Sequence, residues 1–236
     1  MKRIAIILCF LVFLLSCRSD SNKASSKIKS NSPQVSNQNT PPKGEEFINK
    51  LDELGYFKLT DENKIQEVKA DLLKTLNKYN FFLTKTENES LIYLDNRFHQ
   101  VDSEELFEIG GLMIYLELVK PSFIKLGLDF DFKNEKSLDD GKHWEHSIEI
   151  NGREYLAFDS PFSDSDWEIA YVNFINILNQ ELAFQGSNEK FYAIRSGNDG
   201  SIVMLTYQQF ILINASYPSD RDNPMDVNEW KHLIQL

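Results

Sequence analysis

The residues best equipped for chemistry gather ahead of one turn: Asp139, Asp140, His143 and His146, the last two within His143-Trp144-Glu145-His146. Two histidines three apart share a metal when both sit on one helix, and the strong form of that signal is His-Glu-x-x-His. Here the second histidine enters a strand-like run and that spacing is absent, so packing or a surface position competes with the metal reading. Ser122-Phe123-Ile124-Lys125 has the letters of a Ser-x-x-Lys nucleophile, but no Ser-Asp-Asn, Lys-Thr-Gly or Gly-x-Ser-x-Gly accompanies it. Asp129 and Asp131, two apart on a strand, would lie about 6 to 7 Å apart on one face, a separation of the kind glycoside hydrolysis uses. Leu128, Phe130 and Phe132 fill the opposite face, which reduces the pair to the wet side of an amphipathic strand. Asp159, Asp164 and Asp166 lack the spacing of a calcium loop. Gly197–Gly200 joins two strand-like runs, whereas phosphate cradles open helices. No catalytic, metal-ligating or cofactor-binding residue is assigned on these grounds. What remains is a recognition surface, with Trp144 and Trp167 flanking acidic Asp159, Asp164 and Asp166.

The elements that must position these residues follow from periodicity. Phe47, Ile48, Leu51 and Leu54 predict a helix over about Glu46–Tyr56, and Thr60 would cap a second running to about Lys78. Phe81–Thr86 and Ser90–Asp95 read as paired strands. Asp102 and Glu105 form a capping-box pattern for a helix that Gly110-Gly111 interrupts, and Pro121 suits the first turn of another ending at Gly127. Leu128–Phe132 alternates like a half-buried strand. Asn151-Gly152 between His146–Ile150 and Arg153–Phe158 is the strongest hairpin signal, pairing Ile148 with Tyr155 and Glu149 with Glu154. Two like charges opposite each other imply that this face is wet or meets a basic group. Ser165 and Glu168 would cap a helix with Trp167, Tyr171, Phe174, Leu178 and Leu182 as its stripe, ended by Gly186. Phe191–Arg195 and Ser201–Leu205 form a further hairpin. Thr206 and Gln209 cap a short helix to about Asn214, and a last helical turn covers Asn228–Ile234. Helices separated by hairpins, without strict βαβ alternation, predict an α+β fold: a mainly antiparallel sheet with helices packed on one face.

Seventeen Phe and nine Tyr in 236 residues supply an aromatic-rich core. At the other end of the chain Lys2 and Arg3 precede an unbroken apolar run, Ile4–Leu15, of twelve residues. A spanning helix needs about 20, so twelve reads as the central part of an export signal. With Leu14-Leu15-Ser16-Cys17 behind it, this segment resembles the signal peptides of bacterial lipoproteins, in which a Leu three residues before the Cys and a small residue just before it form the lipobox. That resemblance implies cleavage before Cys17, a diacylglycerol thioether and an amide-linked acyl chain such as palmitate on it, and anchoring at the cell envelope. Arg18 stands where many Gram-negative lipoproteins retained in the inner membrane have Asp, so the resemblance favours the outer membrane in a Gram-negative cell. Two or more chains anchor stably where one does not, at ~0.8 kcal/mol per buried methylene. Cys9 would leave with the signal and Cys17 would carry lipid, so the mature chain would have no free thiol for disulfides, thiolate zinc or nucleophilic catalysis.

Residues 1–16 are thus expected to be the signal, 17–44 the lipidated cysteine and a basic tether, and 45–236 one acidic domain. The tether is rich in Ser, Asn, Lys and Pro, a composition expected to stay disordered, and its 27 residues after Cys17 would span about 30 Å as a flexible coil. It carries +4, whereas residues 45–236 hold 18 Lys/Arg against 35 Asp/Glu, or −17. An acidic domain is repelled by anionic lipid, argues against nucleic acid and suits a basic protein partner. The expectation is a non-catalytic binding or interaction lipoprotein, immunity-like in character. The alternatives are an envelope hydrolase using carboxylates or His143/His146, or a structural or assembly lipoprotein. Leu54–Thr60, and Gly197–Thr206 with the Gln208-Gln209-Phe210 beyond it, resemble segments of uncharacterised bacterial proteins, a resemblance that implies no activity.

Overall fold

The structure is a computed structural model that describes residues 44–76, 84–87, 90–93, 95–194, 199–217 and 223–236. The expected export signal, Cys17, the expected tether up to Lys43, and Gly197 and Asn198 of the turn lie outside the described residues, whereas Gly44 opens the first helix; every described residue belongs to the unit spanning Asn39–Leu236. The fold is α+β with antiparallel pairing throughout. Along the chain come α1 (Gly44–Glu53), α2 (Ile65–Thr75), β1 (Thr84–Glu87), β2 (Ser90–Tyr93), β3 (Phe98–Asp102), α3 (Ser103–Phe107) and α4 (Gly111–Lys125). Then follow β4 (Phe132–Asp139), β5 (His143–Ile150), β6 (Arg153–Pro161), α5 (Asp166–Phe184), β7 (Glu189–Ile194), β8 (Asp199–Thr206), α6 (Tyr207–Ser216) and α7 (Val227–Ile234). Among the described residues β1 pairs with β2 in a two-stranded sheet, and the other strands form two sheets, in the orders β4-β5-β6 and β3-β8-β7.

The β3-β8-β7 sheet is covered on both faces, which is why β8 reads Ser-Ile-Val-Met-Leu without alternation. Ile202 and Met204 join Phe191, Ala193 and Val101 in a core shared with α4, α5 and the β4-β5-β6 sheet. Val203 and Leu205, on the opposite face, join Tyr192, Ile194 and Phe98 beneath Phe47, Leu51, Val68, Leu72 and Ile213. In the β4-β5-β6 sheet one face carries Ile148, Ile150 and Tyr155 into the core, and the other stays wet. The hairpin register is the expected one, with Asn151 (φ 49°) and Gly152 (φ 78°) at the turn, Ile148 opposite Tyr155 and Glu149 opposite Glu154. The predicted like-charge conflict is relieved by lysines: Lys133 lies 3.5 Å from Glu149 and Lys136 lies 2.6 Å from Glu154.

Three expectations are corrected by packing. Pro121 does not start a helix but sits inside α4, on its exposed face, where buried Leu116 and Val119 before it and Ser122 and Phe123 after it hold the helical path. Leu128–Asp131 is not a strand, because side chains take backbone groups that a ladder would need: Asp131 N donates to Asn151 Oδ1 at 2.8 Å, and Gln185 both accepts from Asp129 N and donates to Asp129 O at 2.8 Å. α5 is gripped from two sides, by β6 and by β7, so buried Ala170, Val172, Ile175 and Ile177 widen its stripe almost around the helix while Trp167 in its first turn stays 44% exposed. Sequence periodicity also misses β3, a five-residue strand holding His99 and Gln100 between Phe98 and Val101.

Arg97 is fully buried beside the β3-β8-β7 sheet, and a buried charge is tolerable only when paired and hydrogen-bonded. Its five N–H groups all find acceptors. Nε donates to Tyr56 O (2.6 Å), Nη1 to Met204 O (2.8 Å) and Glu189 Oε2 (3.0 Å), and Nη2 to Gly55 O (3.3 Å) and Glu189 Oε1 (3.4 Å). Lysine offers three donors and no planar fork, so Arg97→Lys should destabilise the fold by about 3 kcal/mol, read as a lowered urea midpoint at unchanged m. Gly111 has a different constraint: a Cβ there would stand 1.7 Å from the Glu105 carbonyl oxygen, so α3 and α4 approach only over a hydrogen atom. Gly111→Ala should cost about 1–3 kcal/mol and lower Tm by several degrees in calorimetry, despite alanine's better helix propensity.

Candidate functional site

The groups that looked most reactive are dispersed. His143 lies on the open face with its Nε2 2.6 Å from Asp159 Oδ1. His146 is 2% exposed, with its Nε2 2.8 Å from Glu135 and its ring stacked at 4.9 Å on Trp144. Three residues apart along a strand, the two rings project to opposite sides of the sheet, one wet and one buried. No group of three or more His, Cys, Asp or Glu positioned for a metal occurs among the described residues.

The expected recognition surface is also divided. Trp144 is 4% exposed, donates from Nε1 to Ser137 Oγ at 2.6 Å and meets the Phe107 ring edge-on at 4.4 Å, so it is core rather than surface. Asp166 is buried as well, since its carboxylate accepts from Ser163 N (3.0 Å) and Ser163 Oγ (2.8 Å) and closes the entry to α5. Ser165, expected to do that, makes no side-chain cap. Trp167, Asp159 and Asp164 remain exposed.

Ser122 has an unforeseen neighbour: His99 Nε2 lies 3.1 Å from its Oγ, the spacing of a nucleophile and its base. Both residues are buried, however, and the Ser122 hydroxyl donates to Asn96 O at 2.7 Å, which leaves His99 as the donor to Oγ. Lys125, the second letter of the motif, is paired with Asp61 at 2.6 Å. The pair is a polar rivet between β3 and α4. Burial lowers the His99 pKa to about 4. The unfolded chain therefore binds a proton below about pH 6.5 that the folded chain refuses until near pH 4. This contribution is complete above pH 6.5 and falls by up to about 1.4 kcal/mol per pH unit on acidification. Stability measured by urea unfolding between pH 6.5 and 4.5 should decline in the native chain and decline less in His99→Gln; equal slopes would remove His99 as the cause.

A second buried group, Glu181 of α5, takes hydrogen bonds from Tyr155 Oη (2.7 Å), Asn151 Nδ2 (2.6 Å), Gln185 Nε2 (2.9 Å) and Arg153. Burial alone would raise its pKa, but these donors outweigh it and hold the carboxyl below its usual value. With every lone-pair direction engaged, Glu181 is a fastening for the β5–β6 turn and not a free base.

Elements distant in sequence do form an open cleft of about 670 Å³ at one end of the β3-β8-β7 sheet. β7 contributes Lys190 and Tyr192, α6 contributes Tyr207 and Phe210, and α7 contributes Asp226 and Glu229. Tyr192 stacks on Phe210 at 4.3 Å and 11°, and Tyr207 continues the stack from Phe210 at 6.4 Å and 25°. Tyr207 is 63% exposed. The Lys190 ammonium lies 5.6 Å from the Tyr192 ring centroid and 2.5 Å from Asp226 Oδ2. Burial works to raise the Asp226 pKa, but Lys190 and the Asn228 N–H outweigh it and hold the carboxyl ionised below its usual range. Burial first, then the Asp226 charge, pushes the Tyr192 phenol up to about 12, so it is neutral and only binds. α6 is aimed by the Thr206/Gln209 capping box, and α7 by the Asp226/Glu229 box, which makes Asp226 both a cap and a wall of the cleft. Sequence reading finds both helices but has no signal that joins residues 190, 207 and 226. No family model, no curated protein and no solved structure matches this chain.

Proposed function

We propose that this chain is a non-catalytic recognition lipoprotein, anchored at the bacterial envelope through acylated Cys17 and presenting an acidic domain to a basic protein. The observation that carries the recognition role is the cleft, where stacked aromatic rings and carboxylates converge. Aromatic side chains bring contact area at low entropic cost, and carboxylates around them select cations. The −17 charge of residues 45–236 adds long-range attraction for a positive partner. The Leu14-Leu15-Ser16-Cys17 motif behind the apolar run Ile4–Leu15 supports attachment through lipid. In a Gram-negative cell the outer membrane is the favoured address.

Two measurements address the two halves of this reading. In the native cell, radiolabelled palmitate should enter the wild-type chain and not Cys17→Ser, which should leave the membrane fraction; an unmodified amino-terminal methionine on the purified chain would overturn the anchor. For recognition, the full chain should bind nona-arginine in calorimetry at low salt, with affinity falling as salt rises. No binding in 50 mM salt would overturn the basic-partner role.

A further inference from the structure

Resting on that recognition role, we infer that the cleft is an arginine-binding site whose cation position is held in the unbound protein by Lys190. A guanidinium of the partner takes the Asp226 carboxylate from Lys190 and stacks against the exposed Tyr207 ring. Lys190 already makes contacts of the two kinds that a bound cation would make, one with the Asp226 carboxylate and one with an aromatic ring, here Tyr192. It therefore marks where positive charge is favoured. Its grip is weak, because the side chains of Lys190 and Asp226 are 42% and 31% exposed and half-solvated ion pairs contribute little net stability. Guanidinium has the advantage in that exchange: its planar fork makes two parallel bonds to a carboxylate, it sheds water more readily than ammonium, and it stacks on rings.

The surroundings of the cleft leave the exchange electrostatically open. Glu189 faces it but is neutralised by Arg97 at 3.0 Å. Glu229 supplies a further negative charge, its Oε2 accepting from Asp226 N at 3.2 Å. With Lys190 displaced into solvent, Asp226 and Glu229 face the incoming cation together. Tyr207 has no competing intramolecular cation: the ring–cation contacts of the described residues place Lys190 on Tyr192 and none on Tyr207.

The test is calorimetric titration of the full chain with nona-arginine in 50 mM salt, using five single variants that remain foldable. Tyr207 is exposed, so Tyr207→Ala leaves the core intact; Asp226→Asn keeps a residue able to cap α7. The equally charged but distant pair Lys136–Glu154 on the open sheet face, 2.6 Å apart, is the control for net charge. Tyr207→Ala and Asp226→Asn should each weaken binding by about fivefold or more. Lys190→Met should tighten it by about threefold or more, because the resident competitor is gone. Lys136→Met and Glu154→Gln, with the same charge changes, should alter it by less than about twofold. If the control pair shifts affinity as much as Lys190 and Asp226 do, binding is diffuse and the site is wrong while the recognition role stands. If Lys190→Met weakens binding, Lys190 contacts the ligand itself and the exchange is overturned. Failure of the wild-type chain to bind at all removes the recognition role and the site together.

Discussion

One buried guanidinium governs how this chain closes. Arg97 stands at the start of β3 with no solvent contact, and each of its N–H groups is committed. Its acceptors come from the segment after α1 (Gly55, Tyr56), from β8 (Met204) and from β7 (Glu189). Because an unpaired charge in that position would be costly, the charge has a single arrangement that satisfies it, and that arrangement fixes three chain segments at once. The amino-terminal helical layer is thereby locked onto the sheet by hydrogen-bond geometry as well as by apolar contact. Asp95, buried two residues earlier and accepting from Arg97 N at 3.2 Å, has its carboxyl raised by burial, against the lowering effect of the same guanidinium.

Glu181 plays the complementary part in the other half. It is a buried anion of α5, and its donors tie the hairpin turn, the Leu128–Asp131 segment and the end of the helix into one joint. α5 thus stands between two sheets with apolar side chains on both flanks and a polar anchor at its end. These interior charges specify register. A sheet that slipped by one residue would strand Arg97 or Glu181 without partners, a larger penalty than the loss of any single apolar contact.

The same kind of commitment occupies the described interior groups whose residue types suggested chemistry. His99 and Ser122 have the separation of a catalytic pair, yet the hydroxyl proton is already spent on the Asn96 carbonyl and both side chains are buried. His146 is sealed against Trp144 and Glu135. Polar groups with freedom to exchange partners occur instead at the sheet end, where Lys190 and Asp226 are half in water beside an exposed ring. A binding surface needs such exchangeable pairs, and a core cannot tolerate them.

The local order of this molecule was readable in the sequence alone. Asn151-Gly152 dictated its hairpin and register because both positions want positive φ, and Thr206/Gln209 dictated the start of α6 because both capping partners lie within one turn. The apolar run of β8 and the charge contrast between residues 18–44 and 45–236 were equally legible, being properties of neighbouring residues. Tertiary structure decided the rest. It divided the strands between separate sheets, turned Trp144 inward and Trp167 outward, carried a helix through Pro121, and made Leu128–Asp131 bond to side chains rather than a ladder. It also brought Lys190, Tyr207 and Asp226 to one cleft. The reason is separation along the chain: periodicity and caps report interactions within a few residues, whereas burial, ion-pair choice and ring stacking depend on partners that only the folded chain brings within reach.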